Sequence, residues 1–256
     1  MLELLVGLAL LGAARGLPSS NLPGGRILGG NSTDISQHPY QLALLSHNDF
    51  FCGGVLISDT WGITAAHCFD FGIPFNLRVR GGSTYKSSGG EVIDIDEVLR
   101  HPEYNAQIVN YDAALIRLAR SFTVENAKPI RVPELNHPIH NHEMATVTGW
   151  GATKQGGDSI EVLQQVRVPV VSMQNCRSVY GSEHITNVMF CAGYLGQGGR
   201  DACNEDAGGP LVIGDILAGL VSWGKGCGER DYPSVYTRVP SISNWILEVL
   251  ERSRDI

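Results

Sequence analysis

The sequence predicts an all-β protein that contains two β-barrels and ends in an α-helix. Short apolar or alternating runs, separated by frequent turns, fall into two groups on either side of a looser segment at residues 119–143. Two such groups, joined by a connector that contains prolines, favour two packed barrels. A chain of 256 residues, of which 43% are hydrophobic, is large enough to bury both cores.

The short runs are interpreted as strands because turn residues bound them and many are rich in β-branched residues. The first group comprises QLALLS, GGVLIS, WGITAA, NLRVRGG, EVIDIDEVL and DAALIRL, and the second comprises MATVTGWG, LQQVRVPVV, PLVIG, DILAGLVSWG and SVYTRV. Gly214-Asp215 separates two apolar runs of the second group. This dipeptide predicts a tight hairpin.

The segment Ser241–Leu250 has a different periodicity from the strands. Its apolar residues recur at the spacing of one helix face, and they are Ile242, Trp245, Ile246, Val249 and Leu250. Ser241 stands where a serine side chain can cap the start of a helix. We therefore predict a terminal helix that is capped by Ser241 and packs on the second barrel.

The first sixteen residues contain an apolar run, Leu4–Leu11, followed by small residues. The length of this run suits a signal peptide and is too short to span a bilayer, although Glu3 stands where a basic residue is usual. We predict a signal peptide at residues 1–16 and a Pro/Gly/Ser-rich segment at residues 17–26. No later segment predicts a membrane span, so we expect a secreted, extracellular protein without a membrane partner.

Charge and composition exclude several classes of ligand. The formal net charge of −7 argues against a nucleic-acid partner. An even number of cysteines, six, is typical of disulfides in an oxidising compartment, although the count alone permits fifteen pairings. The absence of a CxxC pair from the sequence argues against a zinc site. His137, His140 and His142 are interpreted as a solvated loop, and the segment RGGSTYKSSGGE offers only Glu91 to calcium. We expect no metal and no cofactor.

Five motifs carry a resemblance to a known family. They are TAAHC at Thr64–Cys68, DAALIRL at Asp112–Leu118, DACNEDAGGP at Asp201–Pro210, SWGKGCG at Ser222–Gly228 and PSVYTRV at Pro233–Val239. In this order they resemble the chymotrypsin/trypsin family of serine proteases. The resemblance implies two antiparallel six-stranded β-barrels with a C-terminal α-helix. It also implies a protease domain at residues 27–256, with halves at about 27–130 and 131–256.

The family assigns a role to each matching position. The resemblance implies that His67 is the catalytic base and Asp112 the acid that orients it. Cleavage after Arg26 would release the amine of Ile27 to pair with Asp206, so residues 17–26 would be an activation propeptide. The implied disulfides are Cys52–Cys68, Cys176–Cys191 and Cys203–Cys227, and the implied substrate-binding positions are Asp201, Ser222, Gly224 and Ser234.

Three positions depart from the family pattern. Ala207 stands where the family has its nucleophilic serine, and Glu205 replaces a glycine whose N–H helps to form the oxyanion hole. Ser234 replaces a glycine on a wall of the specificity pocket, so it would narrow the passage to Asp201. We therefore expect a proteolytically inactive homologue that acts by binding.

The expected partner is a protein or peptide, namely a protease substrate, an inhibitor or a component of a proteolytic cascade, and the chain is expected to be a monomer. Two alternatives stay open. One is an active endopeptidase that cleaves after Arg or Lys, and the other is a purely structural or storage protein. Asn31 begins the single N-glycosylation sequon of the chain, which is usable only if its loop is exposed.

Overall fold

The computed structural model describes residues 29–152, 156–203 and 205–253. The predicted signal peptide, the predicted propeptide and the Arg26-Ile27 site lie outside these residues. Among the described residues, neither α-helix combines the length and apolar character that a membrane crossing requires.

The first barrel follows a two-residue strand, β1 (Asn31–Ser32). Its six strands close in the order β2-β3-β4-β7-β6-β5, and all their pairings are antiparallel. They are β2 (Gln41–Ser46), β3 (Asp49–Leu56), β4 (Trp61–Thr64), β5 (Leu77–Gly81), β6 (Glu91–Arg100) and β7 (Ala114–Leu118). Leucine, isoleucine and valine side chains from these strands fill the interior with Phe69.

The second barrel is closed by a pairing between its first two strands in the sequence. The strands are β8 (Met144–Gly149), β9 (Gln164–Val171), β10 (Met189–Ala192), β11 (Pro210–Ile213), β12 (Ile216–Trp223) and β13 (Ser234–Arg238). Helix α1 (Met173–Tyr180) connects β9 to β10, and β1 pairs with β9. The prediction of two antiparallel six-stranded barrels is confirmed, and Gly214-Asp215 forms the predicted hairpin between β11 and β12.

The terminal helix α2 (Val239–Arg252) is present, but the prediction that Ser241 caps it is wrong. Strand β13 runs directly into the helix, and Pro240 lies in the first turn, where its fixed φ suits a helix. The hydroxyl of Ser241 instead donates to the carbonyl of Asn187 at 3.4 Å. The buried face of α2 joins a cluster that includes side chains from both barrels, so the helix packs across their junction.

Candidate active site

The junction between the barrels places His67 beside Asp112. His67 lies in a 3₁₀ turn (Ala66–Phe69) that follows β4, and Asp112 precedes β7. The Nδ1 atom of His67 lies 2.7 Å from Oδ2 of Asp112, and the backbone N–H of His67 donates to Oδ1 at 2.9 Å. The hydroxyl of Ser222, on β12, donates to Oδ2 at 2.5 Å. Side chains from both barrels therefore fix the carboxylate and the ring.

The surroundings of His67 change its affinity for a proton. Partial burial of the ring opposes protonation, but the hydrogen bond and negative charge of Asp112, together with the charge of Asp70, outweigh it and raise the pKa of His67. Asp112 is almost fully buried. The arrangement therefore supports an imidazolium, as a general base needs after it has accepted a proton.

Ala207 lies on the loop between β10 and β11, against the first barrel. Its carbonyl accepts from the N–H of Gly53 at 2.8 Å, and the N–H of Gly208 donates to Val221 at 2.8 Å. A Cβ atom at Gly208 would lie 2.1 Å from Oγ1 of Thr64, so only glycine permits this approach. Ala207 and His67 line the same cavity of about 450 Å³. The position opposite the histidine therefore presents a methyl group.

Glu205 occupies a backbone conformation that favours glycine. Its φ is +70°, in the left-handed region, where a side chain with a Cβ is strained. The residue lines the same cavity as His67 and is half-buried. Position 205 therefore combines a backbone conformation that favours glycine with a glutamate side chain that lines the cleft.

Asp201 is buried next to Ala202, which lines the cavity. The carboxylate accepts from the N–H groups of Ala202 at 2.9 Å and Gly228 at 3.1 Å, and the side chain of Ser234 also hydrogen-bonds to it. Burial raises the pKa of Asp201 to about 6 against the effect of these hydrogen bonds. Ser234 and Gly224 line the cavity, whereas Asp201 is 2% exposed and does not. Ser234 therefore lies between the cavity and part of the Asp201 carboxylate.

Asp206 is the second buried carboxylate near this loop. It accepts from the N–H of Gly151 at 2.8 Å and from the N–H of Cys203 at 2.9 Å. Burial raises the pKa of Asp206 to about 7 in spite of these two bonds. The predicted partner, the amine of Ile27, lies outside the described residues.

The structure contains the three disulfides that the resemblance implies. Cys52–Cys68 joins β3 to the turn of His67, and Cys203–Cys227 joins the loop of Ala207 to the wall of the cavity. Cys176–Cys191 joins α1 to β10. Two of the three bonds therefore constrain the segments that form the cleft.

Several contacts at this site were not foreseen from the sequence. The hydroxyl of Thr237 donates to the carbonyl of Asp112 at 2.8 Å, and the hydroxyl of Tyr104 donates to both oxygens of Asp70. No local pattern marks these residues, because the partners meet only after the barrels have packed. Asn31 is exposed on β1, and its glycosylation stays a prediction. Among the described residues, no cluster of three or more His, Cys, Asp or Glu side chains could hold a metal ion.

Comparisons with known proteins agree with the fold and the motifs. A family model described as Trypsin matches residues 27–246. The chain is 38% identical to a protein named trypsin from Phaedon cochleariae, over 98% of this chain and 100% of that protein. It is 41% identical to trypsin 5G1 of Aedes aegypti, over 88% of this chain and 85% of that protein. It is also 36% identical to the vitellin-degrading protease of Bombyx mori, over 98% of this chain and 96% of that protein.

Proposed function

The chain belongs to the trypsin family, and we propose that it is a secreted, monomeric member that binds proteins or peptides without cleaving them. The observation that carries this proposal is Ala207, a methyl group that shares the cavity with an oriented His67. A methyl group can neither attack a carbonyl nor pass a proton to the imidazole. In another serine protease the loss of the nucleophile lowers turnover by about 10⁶.

Glu205 and Ser234 support the same proposal. A carboxylate at Glu205 opposes the negative charge that develops on a substrate oxygen beside its backbone N–H. Ser234 occupies one of the hydrogen-bonding positions of Asp201. Both changes act against the turnover of substrates with basic side chains, and neither closes the cavity. The three disulfides and the predicted signal peptide support secretion.

The alternative function is an endopeptidase that cleaves after Arg or Lys. Its support is the retained His67–Asp112 pair, the buried Asp201 and the names of the relatives. Turnover by this route would require a different nucleophile, or a water molecule activated directly by His67.

A fluorophosphonate probe and a peptide-hydrolysis assay together separate the two functions, because the probe labels only an activated serine and hydrolysis detects turnover by any nucleophile. The test compares the chain that begins at Ile27, its Ala207→Ser variant and its Ala207→Ser/Glu205→Gly variant. We expect no labelling of the first chain and labelling of the double variant. A protein inhibitor of trypsin-family proteases should bind the first chain, as measured by calorimetry. Labelling of the first chain, or hydrolysis of peptides by it, would overturn the proposal.

A further inference from the structure

The loop that follows the His67 turn exposes an unusual set of apolar side chains. Phe71 is fully exposed, Phe75 is 80% exposed and Ile73 is 61% exposed. These three residues lie within five positions of one another, whereas large exposed apolar residues elsewhere in the described chain are scattered. Such a concentration on a secreted domain indicates a surface that is covered at times by a partner.

The loop forms one wall of a groove, and strand β6 forms the other. Residues 73–77 line the loop side and residues 94–98 line the strand side, and the groove encloses about 310 Å³. Half-buried Ile95 and Val98 and buried Leu77 supply apolar surface within it. The groove is therefore separate from the cavity of Ala207, although its loop begins three residues after His67.

Strand β6 has an open edge along this groove. It pairs with β5 only from Glu91 to Asp94, and it pairs with β7 from Ile95 to Arg100. Within the described residues, the segment Ile95–Val98 has no strand on the side that faces the loop. An open edge of this kind can accept an extended segment through backbone hydrogen bonds.

The charges on β6 select the kind of segment that fits. Asp94, Asp96 and Glu97 are exposed along the edge, and Asp70 begins the loop. Arg117 contacts both Asp96 and Glu97, at 3.4 Å and 3.1 Å, so one positive charge is shared by two carboxylates.

A second basic residue beside the edge is Arg78, the cross-strand neighbour of Asp94. Its guanidinium donates to Asn48. Three carboxylates at this part of the edge, those of Asp94, Asp96 and Glu97, therefore lie beside two guanidinium groups, and Arg100 lies beyond them at the end of β6. An excess of negative charge on an open edge disfavours neutral or acidic strands and favours a basic one.

From the groove, the open edge and the acidic excess together, we propose that a basic, extended segment of a partner protein adds to β6 at Ile95–Val98. Its apolar side chains would point into the groove against Ile73 and Phe75, and its alternating Lys or Arg side chains would face Asp94 and Asp96, because side chains alternate along a strand. A second copy of this chain fits poorly, since a two-fold contact would bring two acidic edges together. This surface goes beyond the proposed function and does not depend on the state of the cleft.

The first test uses a labelled peptide of about seven residues in which lysine alternates with valine, with fluorescence polarisation as the readout. We expect Ile73→Ser/Phe75→Ser to weaken binding at least about 10-fold, as loss of apolar anchors does at interfaces. Asp94→Asn/Asp96→Asn should weaken it and reduce its dependence on salt. The control variants are Leu135→Ser/Leu247→Ser for exposed apolar side chains and Glu229→Gln/Asp231→Asn for exposed charges, and both should bind as the parent does.

Peptide chemistry tests the strand pairing without any change to the protein. N-methylation of alternate residues removes the N–H groups on one edge of the peptide, so methylation in one register should abolish binding while the other register leaves it intact. Equal effects of both registers, equal binding of a peptide that alternates glutamate with valine, or equal losses in the control variants would overturn the proposal.

Sedimentation velocity tests the occupant. A dimer of the parent chain that Ile73→Ser/Phe75→Ser dissociates would assign the groove to a second copy and overturn a basic partner. Peptide affinity should be the same in Ala207→Ser, because that residue lies in the other cavity. Peptide binding thus tests the groove, whereas probe labelling and hydrolysis test the proposed function, so the failure of one proposal can be told from the failure of the other.

Discussion

The Oδ2 atom of Asp112 lies 2.7 Å from Nδ1 of His67, although residue 207 is an alanine. The same aspartate also serves the packing of the two barrels, because its carbonyl accepts from Thr237 of β13 and its carboxylate accepts from Ser222 of β12. Removal of this buried, hydrogen-bonded carboxylate would lower the free energy of unfolding whether or not the domain is catalytic. The geometry of a catalytic pair can therefore persist for structural reasons.

Replacement of Asp112 by asparagine should lower the pKa of His67. The carboxylate raises this pKa through its hydrogen bond and its charge, and an amide keeps the shape but loses the charge. NMR titration of the imidazole measures the shift, with His67→Gln to assign the signal.

Asp70→Asn is the matched control for the Asp112 variant. Asp70 acts on His67 through charge alone, and its effect is the smaller of the two. It should therefore lower the pKa of His67 by less than Asp112→Asn does. An unchanged pKa in Asp112→Asn would contradict the account of the pair.

Glu205→Gly should stabilise the domain by about 1 kcal/mol, because glycine adopts a positive φ without the strain that a Cβ brings. The measurement is the free energy of unfolding from denaturant titration. Glu229→Gly is the control, since Glu229 is exposed and does not have a positive φ. There the added freedom of the unfolded chain should lower stability instead. If both variants changed the free energy of unfolding in the same direction, strain at Glu205 would be negligible.

The fold followed from the sequence where local pattern decides structure. Alternating runs between turn residues gave most strands, and Gly214-Asp215 gave a hairpin, because its backbone requirements are local. Strand β10 (Met189–Ala192) and helix α1 (Met173–Tyr180) were not predicted, since four buried residues show no periodicity and a two-turn helix shows little. The start of α2 was misplaced because a strand that passes directly into a helix needs no serine cap.

The site was predictable only in part. The motifs placed His67, Asp112 and Asp201 in one region, and Glu205, at a position where the family has glycine, has a positive φ. The partners of these groups could not be predicted, because Thr237 and Ser222 reach Asp112 from 125 and 110 residues away. The open edge of β6 could not be predicted either, since it depends on where β5 begins rather than on the sequence of β6.

Ser234→Gly should increase the affinity of the cavity for benzamidine, a small planar cation, by at least about 10-fold. Removal of the side chain frees space beside Asp201 and releases a hydrogen-bonding position on its carboxylate. Calorimetry on the chain that begins at Ile27 measures the change.

The benzamidine experiment has two internal checks. Asp201→Asn should abolish binding in either background, because the cation then lacks its counter-charge. Binding should also weaken as pH falls through about 6, where Asp201 takes up a proton. Equal affinities of the parent and Ser234→Gly would show that Ser234 leaves the passage open.

Asp206 should make the uncleaved chain less stable as pH rises from about 4 to about 7. Burial raises its pKa from 3.8 to about 7, so the folded state binds a proton that the unfolded state has released, and this contribution to stability is lost as pH rises through the folded pKa. Denaturant unfolding at a series of pH values should therefore show a fall that Asp206→Asn flattens. Asp215→Asn is the control. Arg131 lowers the pKa of this exposed carboxyl, so the small contribution of Asp215 to stability is lost as pH falls, which is the opposite direction from Asp206.

Cleavage after Arg26 should reverse the pH dependence that Asp206 causes if the amine of Ile27 pairs with this carboxyl, since a nearby cation lowers a carboxyl pKa. An unchanged slope after cleavage would contradict that pairing.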